Sequence, residues 1–156
     1  MLEDDIIQKA QEAHSLYYRL VLVIGQHSSG KTSVLRKVNE RINAPLINVS
    51  LEMSRQLIGL TDMQRKLRAA EILSELVSQF SDELVLLDNI ELLFDCSLSL
   101  DPLKLLQNLS HNKIIVATWP GRLESSYLCY ASPGHPEYRS YRINDIILID
   151  INCPRD

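Results

Sequence analysis

Residues 20–42, LVLVIGQHSSGKTSVLRKVNERI, constrain the fold more than any other stretch of the chain. Leu20 to Ile24 is a continuous run of branched apolar residues, which suits a strand covered on both faces. The run stops at Gly25. From Gly30 the pattern turns helical, with Val34, Val38 and Ile42 four apart, until Asn43 and Pro45 end it. A doubly covered strand leading into a helix is the first half of a parallel crossover unit, so more strands of the same kind must follow. They do. Leu46 to Val49, ELVLLDNIE, KIIVATWPG (ended by Pro120 and Gly121) and Ile146 to Ile151 each hold a short apolar run.

Helical patterns lie between these runs. Ile6, Ala10, Ala13 and Tyr17 share one face of an N-terminal helix, with Asp4 and Asp5 favouring its start. Thr61 and Gln64 form a capping box ahead of a longer helix. Its apolar face is expected to be Met63, Leu67, Ala70, Leu73, Leu76 or Val77, and Phe80. Asp101 caps a further helix, with Pro102 at its first position. The expected fold is therefore α/β, a three-layer sandwich: a five-stranded, mostly parallel sheet with helices on both faces. Residues 1–156 read as one domain, with an N-terminal helix over 1–17 and an aromatic, arginine-rich loop or hairpin over 121–144.

In such sheets ligands sit at the carboxyl ends of the strands, and Gly25, Asp88 and Thr118 all fall there. Gly25 to Thr32, GQHSSGKT, matches the phosphate-loop (Walker A) pattern G-x-x-x-x-G-K-[ST] in full. Gly25 and Gly30 let the backbone turn where a Cβ would intrude. The loop N–H groups of Gln26, His27, Ser28, Ser29 and Ser33, with the helix start, make an anion cradle. Lys31 places a cation on the outer phosphates of ATP, and Thr32 offers a hydroxyl to Mg²⁺. Asp88, after four apolar residues, suits the acid that helps to hold Mg²⁺ from a neighbouring strand, the Walker B position. Many phosphate-loop ATPases place Glu directly after that Asp. Here Asn89 follows, and the nearest Glu is Glu91, so either residue is a candidate to position water. Thr118 reads as a γ-phosphate sensor or as a strand threonine. Arg139 and Arg142, and less so Arg122, are candidates for a cation delivered to a neighbour's phosphoryl group. His27 takes no catalytic role, because the middle of the loop varies freely. His14 and His111 read as surface residues. Tyr127, Tyr130, Tyr138 and Tyr141 read as exposed aromatics for a protein or base interface, or as a satellite core under a long loop.

The chain has 156 residues, a net charge of −4 and no basic stripe, which advertises no nucleic-acid binding of its own. Cys96, Cys129 and Cys153 lack metal spacing and read as reduced thiols of a cytoplasmic protein. The apolar runs are too short for a membrane span, and the acidic MLEDD start is unlike a signal peptide.

Taken in order, GQHSSGKT, LVLLDNIE, IIVATWPG and YRSYRINDIILID resemble the core of AAA+ and related ATPases, over roughly residues 18–152. That resemblance implies a trans-acting arginine at Arg139 or Arg142 and homo-oligomerisation. Asn89 departs from the family's glutamate, and the chain ends after the fifth strand, where the family continues into a helical lid. More narrowly, NVSLEMSRQLIGLTDMQRKL and ASPGHPEYRSYR resemble the BrxF family of small P-loop proteins from type 3 BREX, a bacterial phage-defence system. This implies work beside a DNA methyltransferase and a large ATPase, with DNA reached through partners or the oligomer. Two other functions stay open, a non-hydrolysing nucleotide switch and a small-molecule or nucleotide kinase. Arg55 is the one early candidate for an acceptor site in a kinase.

Overall fold

The computed structural model describes residues 2–26, 30–143 and 145–152. The elements in chain order are α1 (Leu2–Ala13), β1 (Leu20–Ile24), α2 (Lys31–Ile42), β2 (Leu46–Asn48), α3 (Val49–Leu57), α4 (Asp62–Ser78), β3 (Leu84–Asp88), α5 (Pro102–Leu109), β4 (Ile114–Trp119), β5 (Arg122–Glu124), β6 (Tyr127–Tyr130), β7 (Arg139–Arg142) and β8 (Ile147–Asp150). Two short 3₁₀ turns, Glu91–Phe94 and Cys96–Leu98, lie between β3 and α5. The main sheet has five strands in the order β2-β3-β4-β1-β8, and every pairing is parallel.

Strand alternation sorts the core into two layers. Leu20, Leu22 and Ile24 of β1 face one side with Val85, Leu87, Ile115, Ala117 and Trp119, and pack under α3 and α4. Val21 and Val23 face the other side with Leu86, Ile114, Val116 and Ile149, under Ile6, Ala10 and Ala13 of α1 and Leu35 and Val38 of α2. Helices thus cover both faces, as the continuous apolar runs require.

Several local expectations are corrected. Helix α1 ends at Ala13, so Tyr17 lies beyond it and is exposed. In α2 the buried residues are Leu35 and Val38, while Ile42 is exposed. Val49 does not extend β2 but opens α3, a helix the sequence reading passed over. The Asn48 side chain caps α3 by accepting the Leu51 N–H at 3.1 Å. The capping box at Thr61 and Gln64 forms as expected. The face of α4 is rotated, however. Ala69, Ile72, Leu73, Leu76 and Val77 are buried, whereas Met63, Leu67 and Ala70 point outward.

Between β4 and β8 the hairpin expected over 121–144 forms, with a third strand. Among the described residues no helix makes this crossover. A three-stranded antiparallel sheet, β5-β6-β7, stands in its place and packs on the α3–α5 side of the main sheet through Leu128. Tyr130 stacks on Phe94 at a centroid distance of 3.8 Å, and Tyr141 meets Trp119 edge-on at 5.9 Å. Tyr130 and Tyr141 are partly buried and pack on the core, so the satellite-core reading holds for these two, while Tyr127 is exposed. Gly121 is required where this sheet begins, because a Cβ there would lie 1.9 Å from the Cys129 carbonyl oxygen. That same oxygen accepts the Trp119 indole N–H at 3.2 Å.

Candidate functional site

The carboxyl ends of β1, β3 and β4 meet at one rim. Parity decides which side chains gather there. Asp88 continues the alternation of Leu84 and Leu86, and Thr118 that of Ile114 and Val116, so both face the side covered by α2. Lys31 opens α2 on that same side. Asp88 and Thr118, remote in sequence, therefore meet by register, with Lys31 on the same side of the sheet.

Asp88 and Thr118 are almost wholly buried. The Thr118 hydroxyl donates to Asp88 Oδ1 at 2.8 Å. A buried carboxylate needs such a donor. Two expectations change here. Asp88 is not on the strand next to β1, since β4 stands between them. Thr118 is not the last residue of its strand, since β4 runs on to Trp119, and its hydroxyl proton is already given to Asp88.

Of the phosphate loop, His27, Ser28 and Ser29 lie outside the described residues. Gly25 is buried and its N–H donates to the Trp119 carbonyl at 3.0 Å. Gly30 caps α2 in the left-handed region, with φ +95°. That conformation favours glycine, and the space a Cβ would enter there is open. The Lys31 ammonium donates to the Gln26 carbonyl at 3.1 Å. Burial pushes its pKa below the ordinary lysine value, while Glu91 and then Asp88 pull it back up. The ammonium thus lies within electrostatic reach of both acids. Thr32 is half-buried and Ser33 exposed in the first turn of α2.

No protein-family model matches the chain. No curated protein matches it either.

Beyond the loop, Asn89 adopts φ +52°, and its carbonyl accepts both the N–H and the hydroxyl of Ser50. The same hydroxyl accepts the Leu92 N–H at 3.1 Å. Ser50 thereby ties the first turn of α3 to the turn after β3. Glu91 follows on the 3₁₀ turn and is exposed. It acts electrostatically on Lys31 on one side and on Tyr130 on the other, where burial first, then Glu137 and Glu91, raise the phenol pKa.

Arg139 and Arg142 do not join this group. They lie on β7, in the small sheet on the opposite side of the main sheet from α2. Arg139 donates to the Tyr138 carbonyl at 3.1 Å, and Arg142 is exposed. Arg122 is committed to structure, with Glu124 at 2.6 Å and the Ala131 carbonyl at 2.7 Å.

One rim residue was missed in the sequence. Asn152 accepts the Gln26 N–H at 2.8 Å and donates to the Gly121 carbonyl at 2.9 Å, tying the loop entrance to the end of β4. An Asn after the last strand carries no signal in a single sequence.

The sequence expectation of an anion cradle changes at its entrance: the N–H groups of Gly25 and Gln26 are already given to the Trp119 carbonyl and to Asn152. Lys31, at the start of α2, is a cation on this side of the sheet. Among the described residues, no cluster of three or more His, Cys, Asp or Glu could by itself hold a metal. Magnesium commonly takes only one or two protein groups and shares the phosphates, which suits Thr32 and Asp88. No helix among the described residues is long and apolar enough to cross a membrane.

Proposed function

We propose that this chain binds ATP with Mg²⁺ as a P-loop protein with an AAA+-like core. One observation carries the reading. Lys31 opens α2 on the face of the parallel sheet to which Asp88 and Thr118 turn, at the carboxyl ends of strands ordered β2-β3-β4-β1-β8. In this reading Lys31 and the loop amides hold the phosphates, while Thr32 and the Thr118-bound Asp88 place the metal. The bound metal would neutralise charge on the phosphates. Lys31→Ala should weaken Mg-ATP binding at least about a hundredfold, the loss of one strong charge-assisted contact or more. Isothermal titration calorimetry measures it, and an unchanged affinity sinks the assignment.

A second reading, a nucleotide switch that docks a partner without turnover, is favoured by Asn89. Its side-chain amide takes no proton. Hydrolysis, where it occurs, would use Glu91 or Asn89 to position water and Arg139 or Arg142 from a neighbouring copy. Turnover per subunit that rises with protein concentration supports the ATPase, and none at any concentration supports the switch. The resemblance of NVSLEMSRQLIGLTDMQRKL and ASPGHPEYRSYR supports a place in BREX-type phage defence, beside a methyltransferase and a large ATPase. Phage plating with the Lys31→Ala allele tests that role.

A further inference from the structure

The pairing of β1 with β8 runs on past the ends of the two strands. Ile24 lies beside Asp150, and the Ile151 N–H still donates to the Ile24 carbonyl at 2.8 Å. In a parallel ladder the next bond comes from the Gln26 N–H, and a backbone carbonyl of the facing strand takes it. Here a side chain takes it instead. Asn152 Oδ1 accepts the Gln26 N–H at 2.8 Å. The chain bends at this point, with the Asn152 N–H donating to Asp150 Oδ1 at 2.9 Å.

The Asn152 amide is itself fixed at its other end. Its Nδ2 donates to the Gly121 carbonyl at 2.9 Å, and the Gly121 N–H turns back onto the Trp119 carbonyl at 2.9 Å. That Trp119 carbonyl also accepts the Gly25 N–H. An amide offers an acceptor and a donor at once, which these two bonds demand, whereas a carboxylate only accepts. Gly25 and Gln26 are thus held from the ends of β4 and β8, the two neighbours of β1. Gln26 in turn holds Lys31, whose ammonium donates to its carbonyl at 3.1 Å. Asn152 and Lys31 therefore grip the same residue, one at its N–H and the other at its C=O.

We infer that Asn152 is a positioning residue of the proposed nucleotide site: it fixes Gln26, and through the Gln26 carbonyl it sets where the Lys31 ammonium rests. The inference depends on the reading of Lys31 as the phosphate-binding cation. Asn152 touches no phosphate in this role. It acts by preorganisation, since a backbone already held in place loses less freedom when a ligand arrives. Without it the Gln26 N–H turns to water, and the carbonyl that holds Lys31 moves with it.

Amide hydrogen exchange of the full chain, followed by NMR, and calorimetry together test this. Without nucleotide, Asn152→Ala should raise the exchange rate of the Gln26 N–H about tenfold, as loss of one hydrogen bond does. The Gly25 N–H, which Trp119 holds, should exchange as before. Asn152→Asp keeps an acceptor for Gln26 and should stay closer to wild type there. Asn152→Ala should also weaken Mg-ATP binding about tenfold, and Mg-tripolyphosphate binding by the same factor, because the change lies at the phosphates. Its melting temperature should stay near that of wild type, since Asn152 is exposed. Unchanged Gln26 exchange or unchanged Mg-ATP affinity in Asn152→Ala overturns the inference and leaves the nucleotide reading standing. So does an Asn152→Asp chain as unprotected at Gln26 as Asn152→Ala, or a loss for ATP that tripolyphosphate does not share. A wild type that binds no Mg-ATP overturns both.

Discussion

The carboxyl rim of the parallel sheet and the small antiparallel sheet both carry residues that the sequence marks for phosphate chemistry, and the fold treats them oppositely. At the rim, strand parity and α2 gather Lys31, Asp88 and Thr118 on one side. Across the main sheet, β7 holds Arg139 and Arg142 on the other side, beside Tyr141 and Trp119. The rim is a within-chain site built on buried strands. The arginines lie on β7, an edge strand of the small sheet. Glu91 follows β3 on the 3₁₀ turn whose Phe94 stacks on Tyr130 of the small sheet.

The sharpest way to break the comparison is Gly121→Ala. The new Cβ would overlap the Cys129 carbonyl, a backbone atom that cannot swing aside. A loss of about 3 kcal/mol in urea unfolding is expected, typical of severe overpacking. Nucleotide affinity of the folded fraction should fall less than in Lys31→Ala, because the joint reaches the loop through Asn152 and not through Lys31 or Asp88. Next in size is Thr118→Val, which keeps the shape and removes the donor to buried Asp88. It should cost about 1–3 kcal/mol, the desolvation penalty of an acceptor left short of a partner. Metal-dependent affinity should fall with it, and a variant as stable as wild type would show that Asp88 does not need Thr118.

Tyr141→Phe comes third. The phenol donates to Asp101 Oδ1 at 2.9 Å, and Asp101 also caps α5. Removing the hydroxyl should cost about 1 kcal/mol. Burial first, then the bond to Asp101, hold the Tyr141 pKa well above its ordinary value of 10. A group raised in the folded state stabilises below its unfolded pKa and loses that contribution as pH climbs towards the folded one. Alkaline difference spectra should therefore show Tyr141 among the last tyrosines to ionise, and the Phe variant should lack that late step. The smallest effect belongs to Arg139→Ala and Arg142→Ala. Each should leave Mg-ATP affinity of the isolated chain within about twofold, as surface changes remote from a site do. A large loss in either would place that arginine in its own subunit's site.

The two regions also differ in how much could be read beforehand. Strand β1 and the capping box of α4 follow local rules of run length and hydrogen-bonding side chains, and the structure reproduces them at Leu20–Ile24 and at Thr61 with Gln64. Helix α3 escaped because its nine residues mix polar and apolar types, and its cap is the Asn48 that ends a strand. Met63, Leu67 and Ala70 were assigned to the core because periodicity gives the spacing of a face, not which of two overlapping faces turns inward. The joint between Gly121 and Cys129, and the reach of Asn152 to Gln26, depend on contacts between segments far apart in the chain.

The sequence by itself determined the alternation of buried strands with helices, the phosphate-loop pattern from Gly25 to Thr32, and the acid at Asp88, because these rest on neighbouring residues and short-range geometry. Only the tertiary structure decided that β4 lies between β1 and β3, that the hairpin over 121–144 becomes a three-stranded sheet packed on the α3–α5 side, and that Arg139 and Arg142 lie across the sheet from Lys31. Strand order and facing are set by how whole layers pack, and no local pattern carries that information.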